Sequence, residues 1–254
     1  MTQRWRANVT GGTPRRLPRL TLRAYNRPMS AITEIRQDLV NVLGRVGPGY
    51  PTLCEGWNTE HMLAHLILRE TRPDVAAGVL LPPLAQRTET KTEELAEELS
   101  DGQAFSHGLS RFEAARPLIR RVEAVDETTN FLEYLVHRED VLRGSPGALE
   151  MNAGREADAD EQSAVWRALS RRAGLFAKNY PDGLTMVGTD SDGSPTYGTK
   201  VVRQPSDESR VSAVVQKVVR APSTGESVTL TGEPLELMMY LFGRRDAARV
   251  DISY

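Results

Sequence analysis

The chain has 254 residues, a formal net charge of −2, one Cys and four His. At roughly 150 residues per domain this length carries one or two domains, each able to build a core without disulfide or structural-metal support. With 39% hydrophobic and 26% charged residues and no apolar run near the ~18 residues of a membrane span, the composition is that of an ordinary soluble protein. The single Cys54 excludes a disulfide framework and a Cys-based zinc cluster, so any metal site is built from His and carboxylates.

Residues 1–28 hold seven Arg and no Lys, Asp or Glu; the remainder has 25 basic against 34 acidic side chains, a charge of −9. An acidic body has no reason to track a nucleic-acid backbone. Pro14, Pro18, Pro28 and the Gly11-Gly12 pair, without apolar periodicity, favour disorder in this basic leader. A short basic amphipathic helix and a transit-peptide-like composition are the other readings. So is a start at Met29, with the leader no part of the native protein. No secretory-type apolar stretch follows the arginines, and the chain is read as cytoplasmic.

From Ser30, Ile32, Ile35, Leu39, Val42, Leu43 and Val46 recur at helical spacing until Gly47-Pro48-Gly49. Residues 51–57 form a connector, and Asn58 or Thr59 caps a second helix through Glu70. An apolar patch at 75–84 is interrupted by Pro82-Pro83, and the acidic stretch 88–99 favours helix. Further helices are expected over 105–125, with Pro117 as a kink or break, over 129–142, and over 158–178. Short loops between them favour an antiparallel bundle. After Pro181-Asp182-Gly183, β-favouring runs appear at 184–187, 199–202 and 227–231, with Val211–Val219 leaning towards strand. A helix over 233–242 and an edge strand at 250–253 complete the chain. The expected architecture is therefore a helical domain over 29–180 and a small α+β domain over 181–254.

The segment Phe131–Leu142 is the most informative. Leu132, Leu135 and Val136 share one side of its helix, while Glu133, His137 and Asp140 fall within about 60° of one another on the other. Glu133 and His137, four residues apart, stack where one divalent cation could bridge them; a solvated polar stripe is the alternative. On the helix after Trp57, His61 and His65 are also four apart, His65 at the edge of the apolar face of Met62, Leu63 and Leu66. Three of the four His thus lie in two such pairs on two helices, the arrangement by which bundles build internal metal sites. The fourth, His107, has no partner spacing.

Residues 50–70, YPTLCEGWNTEHMLAHLILRE, together with 131–140, FLEYLVHRED, resemble the metal-binding domain of the mycothiol-dependent maleylpyruvate isomerase group in the DinB-like superfamily. Trp57 with His65 matches that group's W-x(7)-H signature, and Glu133 with His137 its E-x-x-x-H signature. Residues 228–252 resemble its small C-terminal domain, whose pattern falls here on Gly232, Pro234, Glu236, Leu237, Leu241, Gly243 and Arg244. The sequences P-T-L-C-E-G-W and R-E-x-R-P-D, here Arg69 to Asp74, mark a branch of actinobacterial metal-binding proteins. Residues 190–226 fit poorly and the leader does not fit.

The resemblance implies a DinB-like bundle holding zinc or another divalent metal through His65, Glu133 and His137, with the C-terminal domain closing over the site. His61 does not occupy the group's ligand position and is a weak pocket candidate. Asp140 is read as lining the pocket or supporting a ligand. Three protein ligands leave one position open, where the thiol of mycothiol could be held as thiolate. In the group, that thiolate adds to a cis enoyl acid, the C–C bond rotates, and elimination returns the trans isomer; other members transfer the thiol to electrophiles. The partner is thus a small-molecule electrophile or unsaturated acid. Arg244 is the candidate guanidinium for a carboxylate, or else an Arg satisfying helix-end carbonyls. Cys54 is read as a core or loop thiol and Trp57 as a plug at the bundle end. The expectation is a monomer or homodimer, an isomerase or thiol transferase, with a non-catalytic metal- or small-molecule-binding protein on the same scaffold as the alternative.

Overall fold

Helix formation starts where the apolar spacing does. The computed structural model describes residues 28–76, 82–115, 127–148, 157–180, 182–202 and 227–254. Helix α1 runs Pro28–Val46, two residues earlier than expected, because Pro suits a first helical turn. Its periodic residues Ile32, Ile35, Leu39, Val42, Leu43 and Val46 are all buried. Gly47 and Gly49, both at positive φ, turn the chain into a connector closed by a bridge between Pro51 and Asn58. Helix α2 (Thr59–Thr71) starts after the N-cap residue Asn58, and the single turn α3 (Pro73–Ala76) follows.

Helix α4 spans Pro82–Glu98. The Pro82-Pro83 pair, expected as an interruption, instead occupies its first turn, where a missing N–H leaves no intrahelical bond unmade. Helix α5 (Gly102–Ala114) is capped by Asp101, whose carboxylate accepts from the N–H groups of Gln103 and Ala104. Helix α6 (Glu127–Gly144) extends two residues beyond the expected span at each end. Helix α7 (Ala159–Arg172) is capped by Asp158 and gives way to two 3-10 turns ending at Asn179. Residues 1–27 of the leader, Pro117, the 77–81 part of the apolar patch and the Val211–Val219 run lie outside the described residues.

The expected strands form as β1 (Leu184–Gly188), β2 (Gly198–Val202), β3 (Val228–Gly232) and β4 (Asp251–Ser253), with helix α8 (Pro234–Leu241) after β3. They make one mixed sheet in the order β2-β1-β3-β4, β1 and β3 being parallel and the outer pairings antiparallel. The protein is mostly helical, with a small mixed four-stranded sheet towards its C-terminus. No helix among the described residues is long and apolar enough to cross a membrane.

Helix α6 positions the site. It packs along α1 and against α7, and α7 in turn packs on α8. Leu132, Leu135, Val136 and Val141 on α6 are buried, each contributing roughly 1.5–3 kcal/mol of transfer free energy. Charged residues on the same helix tie it to its neighbours. Arg138 pairs with Asp38 of α1, Glu139 and Glu161 of α7. Arg143 places both terminal nitrogens 3.0 Å from the two carboxylate oxygens of Glu236 on α8. Buried charges of this kind persist only when each is paired, so these contacts fix how α6, α7 and α8 meet.

Candidate metal centre

Three segments converge on the C-terminal half of α6: α2, the 51–58 connector, and the turn after α8. The connector is drawn onto α6 by the absence of a side chain at Gly144, where a Cβ would lie 2.4 Å from the Thr52 carbonyl carbon. Leu53 N–H then donates to the Asp140 carbonyl at 3.0 Å, and Ser145 Oγ donates to the Pro51 carbonyl at 2.8 Å. The turn after α8 needs Gly243 at φ +91°, a left-handed conformation that favours Gly at a helix end. It delivers Arg244 to the same place.

His65, Glu133 and His137 come together as a group whose ligand atoms all lie within 4.8 Å of one another. His137 Nε2 is 3.4 Å from Glu133 Oε2, close to the ~3.3 Å edge of a tetrahedron with 2.0–2.1 Å metal–ligand bonds. The His65 and His137 rings meet edge to face with centroids 5.2 Å apart, and the Trp57 ring packs on His65, also at 5.2 Å. His65 Nε2 is buried with no hydrogen-bond partner, a costly state for a polar atom unless something else supplies one. The polar stripe seen in the sequence is thus not a solvated face: His137 and Asp140 are buried, and Glu133 keeps 28% of its side chain exposed.

Electrostatics separate the two imidazoles. Burial, helped by the neighbouring His137, pushes His65 down to about 3, so it stays neutral. Burial would also lower His137, but hydrogen bonds to Asp140, Cys54 and Glu133 raise it well above its ordinary 6.5. Burial would raise Glu133, and the hydrogen bond and charge of His137, with the charge of Arg69, instead hold it at about 2. The surroundings of His137 and Glu133 therefore favour a positive charge there, which a proton or a metal ion can supply.

A second group, Cys54, His137 and Asp140, also has ligand-type atoms within reach of one another. His137 Nδ1 is 3.0 Å and Cys54 Sγ 3.2 Å from Asp140 Oδ2. Here, however, a cation is already in place. Arg244 donates from Nε to Asp140 Oδ1 at 2.7 Å, and from Nη2 to Asp140 Oδ2 at 2.6 Å and Cys54 Sγ at 3.2 Å. A metal ion on these donors would have to displace the guanidinium. The remaining Arg244 nitrogen, Nη1, donates to the Phe242 carbonyl at 2.7 Å.

Asp140 Oδ2 thus meets His137 at Nδ1, leaving Nε2 to face Glu133, the geometry by which a carboxylate orients an imidazole. His61 is not brought into the group. Its Nδ1 accepts the Asn58 N–H at 3.2 Å and its Nε2 lies 3.1 Å from Glu93 of α4. His107 is exposed on α5. Two neighbours were missed from sequence. Cys54 meets Asp140 and Arg244, contacts that no local spacing signals. Arg69 places Nε 3.6 Å from Glu133 Oε2; its position four residues after His65, on the same helix face, was the available signal. No protein-family model, curated protein or solved structure matches this chain.

Proposed function

We propose that the protein binds one divalent metal ion, zinc or another, through His65, Glu133 and His137, and uses it in mycothiol-dependent isomerase or thiol-transferase chemistry on a small electrophile or unsaturated acid. The observation that carries the metal reading is the buried, partnerless Nε2 of His65 beside a carboxylate and an imidazole that favour positive charge. The donor set, two neutral imidazoles and one carboxylate, suits zinc and several of its neighbours. Three ligands leave a position open for an exogenous group, the pattern of catalytic rather than structural sites. A bound cation would supply the charge that holds a thiol as thiolate well below its free pKa of about 8.5. The chain's own part is to orient His137 through Asp140 and to pack Trp57 against His65. The resemblance of the signatures at Trp57–His65, Glu133–His137 and 232–244 supports the DinB-like assignment and the thiol cofactor.

A second reading, a non-catalytic metal- or small-molecule-binding protein on the same scaffold, is favoured by one observation. Arg244, the guanidinium that the resemblance offers to substrate, engages its nitrogens with Asp140, Cys54 and the Phe242 carbonyl. Elemental analysis of the wild type beside His65→Ala and His137→Ala tests the metal; one equivalent in the wild type and little in either variant is expected. Calorimetric titration of the loaded protein with mycothiol then separates the readings, since a pure binding protein leaves the open position indifferent to thiol.

A further inference from the structure

The sequence R-E-x-R-P-D has its parts placed by the structure, and one atom is left over. Glu70 accepts two hydrogen bonds from Arg36, at 2.9 and 2.8 Å, and one from Tyr134 at 2.7 Å. Arg72 and Asp74 pair with each other at the surface. Arg69 differs. Its side chain is only 11% exposed, its Nε lies 3.6 Å from the metal-group oxygen Glu133 Oε2, and its Nη2 donates to Asn130 Oδ1 at 2.9 Å. Its Nη1 is buried and has no hydrogen-bond partner. A buried guanidinium nitrogen without an acceptor calls for one, and an anion answers best because the bond is then charge-assisted.

We propose that Arg69 is a ligand-binding residue of the metal centre, whose unpartnered Nη1 receives one oxygen of a small carboxylate. The proposal rests on the metal reading above and adds the residue of this chain that would hold the acid group. Charge balance leads to the same class. With both imidazoles neutral as ligands, a divalent ion, the Glu133 carboxylate and the Arg69 guanidinium leave two positive charges in excess, and Asp140 with Arg244 cancel. Uncompensated charge in a buried site is costly. A thiolate removes one charge and a monoanionic carboxylate the other. A single free guanidinium nitrogen also suits a carboxylate oxygen better than a dianionic phosphate, which draws on several donors. Arg244, whose nitrogens are engaged on the far side of His137, then supports Asp140, and the guanidinium meeting the ligand comes from α2.

The test uses full-length protein loaded with Co(II), whose visible absorption reports ligands at the centre, titrated with acetate, its neutral isostere acetamide, and inorganic phosphate. Acetate is expected to shift the wild-type spectrum saturably, and acetamide to do so far more weakly. Arg69→Met should still take up one Co(II) but bind acetate about tenfold to hundredfold more weakly, the range for losing one hydrogen bond to a charged group. Should Arg69→Met fail to fold or to hold Co(II), Arg69→Lys decides. One ammonium cannot meet Glu133, Asn130 and the ligand together, so it too should bind acetate more weakly while keeping Co(II). Equal acetate affinity in the wild type and the Co(II)-competent variant overturns the proposal, as does a loaded wild type indifferent to acetate or one that prefers phosphate. A wild type that takes up no Co(II) overturns the metal reading itself, a result distinguishable from all of these.

Discussion

Arg244 and Asp140, 104 residues apart in sequence, meet as a guanidinium and a carboxylate joined by two hydrogen bonds, Nε to Oδ1 at 2.7 Å and Nη2 to Oδ2 at 2.6 Å. Asp140 is wholly buried and the same Oδ2 lies 3.0 Å from Nδ1 of His137. The pair thus joins the C-terminal segment to the candidate metal-binding group through one carboxylate. Removing one partner of a buried pair leaves the other charge uncompensated. Arg244→Ala is therefore expected to lower unfolding free energy by about 3 kcal/mol, read from the urea midpoint at unchanged m-value. Metal affinity should fall by about 10–100-fold, as it does when support behind a ligating His is lost. Arg244→Lys should recover only part of either, because an ammonium cannot make both bonds in the plane of the carboxylate. Wild-type metal affinity in Arg244→Ala would break the proposed link.

Metal binding should also expel a proton. In the metal-free protein His65 is neutral, pushed to about 3, whereas His137 is held protonated by Asp140, Cys54 and Glu133. Ligation needs both neutral. About one proton is therefore released at pH 7, and affinity should rise with pH from neutrality up to the raised pKa of His137. The dependence of binding enthalpy on buffer ionisation heat counts that proton, and its absence would mean that His137 is already neutral.

The same shifts carry opposite signs for stability. His65 titrates below its unfolded value near 6.5, so the unfolded chain binds more protons, and this contribution is lost as pH falls from about 6.5 towards about 3. His137 titrates above it, so its contribution is complete below about 6.5 and is lost as pH rises through the folded value. Urea midpoints of metal-free wild type across this range should show an optimum. His65→Phe should flatten the acid limb, and an unchanged limb would assign acid sensitivity to other groups.

Local patterns in the sequence reach the helices and the heart of the site. The 3.6-residue spacing in α1 and α2, the β-favouring runs at 184–187, 199–202 and 227–231, and the Glu133–His137 stripe all reappear where expected. They are legible because each depends on neighbours three or four residues away, or on alternation along one strand. The assembly of Cys54, Asp140 and Arg244 is not legible in this way. It depends on a connector closing onto the end of α6 and on a turn after α8, and no periodicity joins residues so far apart. The spacing of the stripe by itself favours a solvated face, since a helical wheel shows which residues share a face but not what covers it. Pro82-Pro83 was misplaced for a simpler reason: a proline pair reads as a break unless the helix begins with it.

His61 and His65 offer a paired test on a single helix. His61 accepts the Asn58 N–H at 3.2 Å and lies 3.1 Å from Glu93, which makes it part of how α2 starts. His61→Ala should therefore keep the full metal content and lose about 0.5–2 kcal/mol of stability, the range for helix-start contacts. His65→Ala should do the reverse, losing metal while the apolar neighbours Met62, Leu63 and Leu66 hold α2 in place. Elemental analysis and thermal melting of both variants decide, and loss of metal in His61→Ala would move the site one turn along α2.

Gly144 gives the sharpest steric prediction. It lies in the last turn of α6, where replacing Gly with Ala would ordinarily gain about 0.5–1 kcal/mol. Here the added methyl would stand 2.4 Å from the carbonyl carbon of Thr52 and 2.5 Å from the amide nitrogen of Leu53. Both are backbone atoms and cannot rotate away. The connector must lift, which breaks the bond from Leu53 N–H to the Asp140 carbonyl and draws Cys54 away from Asp140 and Arg244. Overpacking of this kind costs about 1–3 kcal/mol, so Gly144→Ala should be net destabilising despite its helix preference. Cys54 should react faster with an aromatic disulfide reagent, since its thiol would no longer sit between a carboxylate and a guanidinium. A variant as stable as the wild type, with an unchanged thiol rate, would show that the connector does not rest on α6 as described.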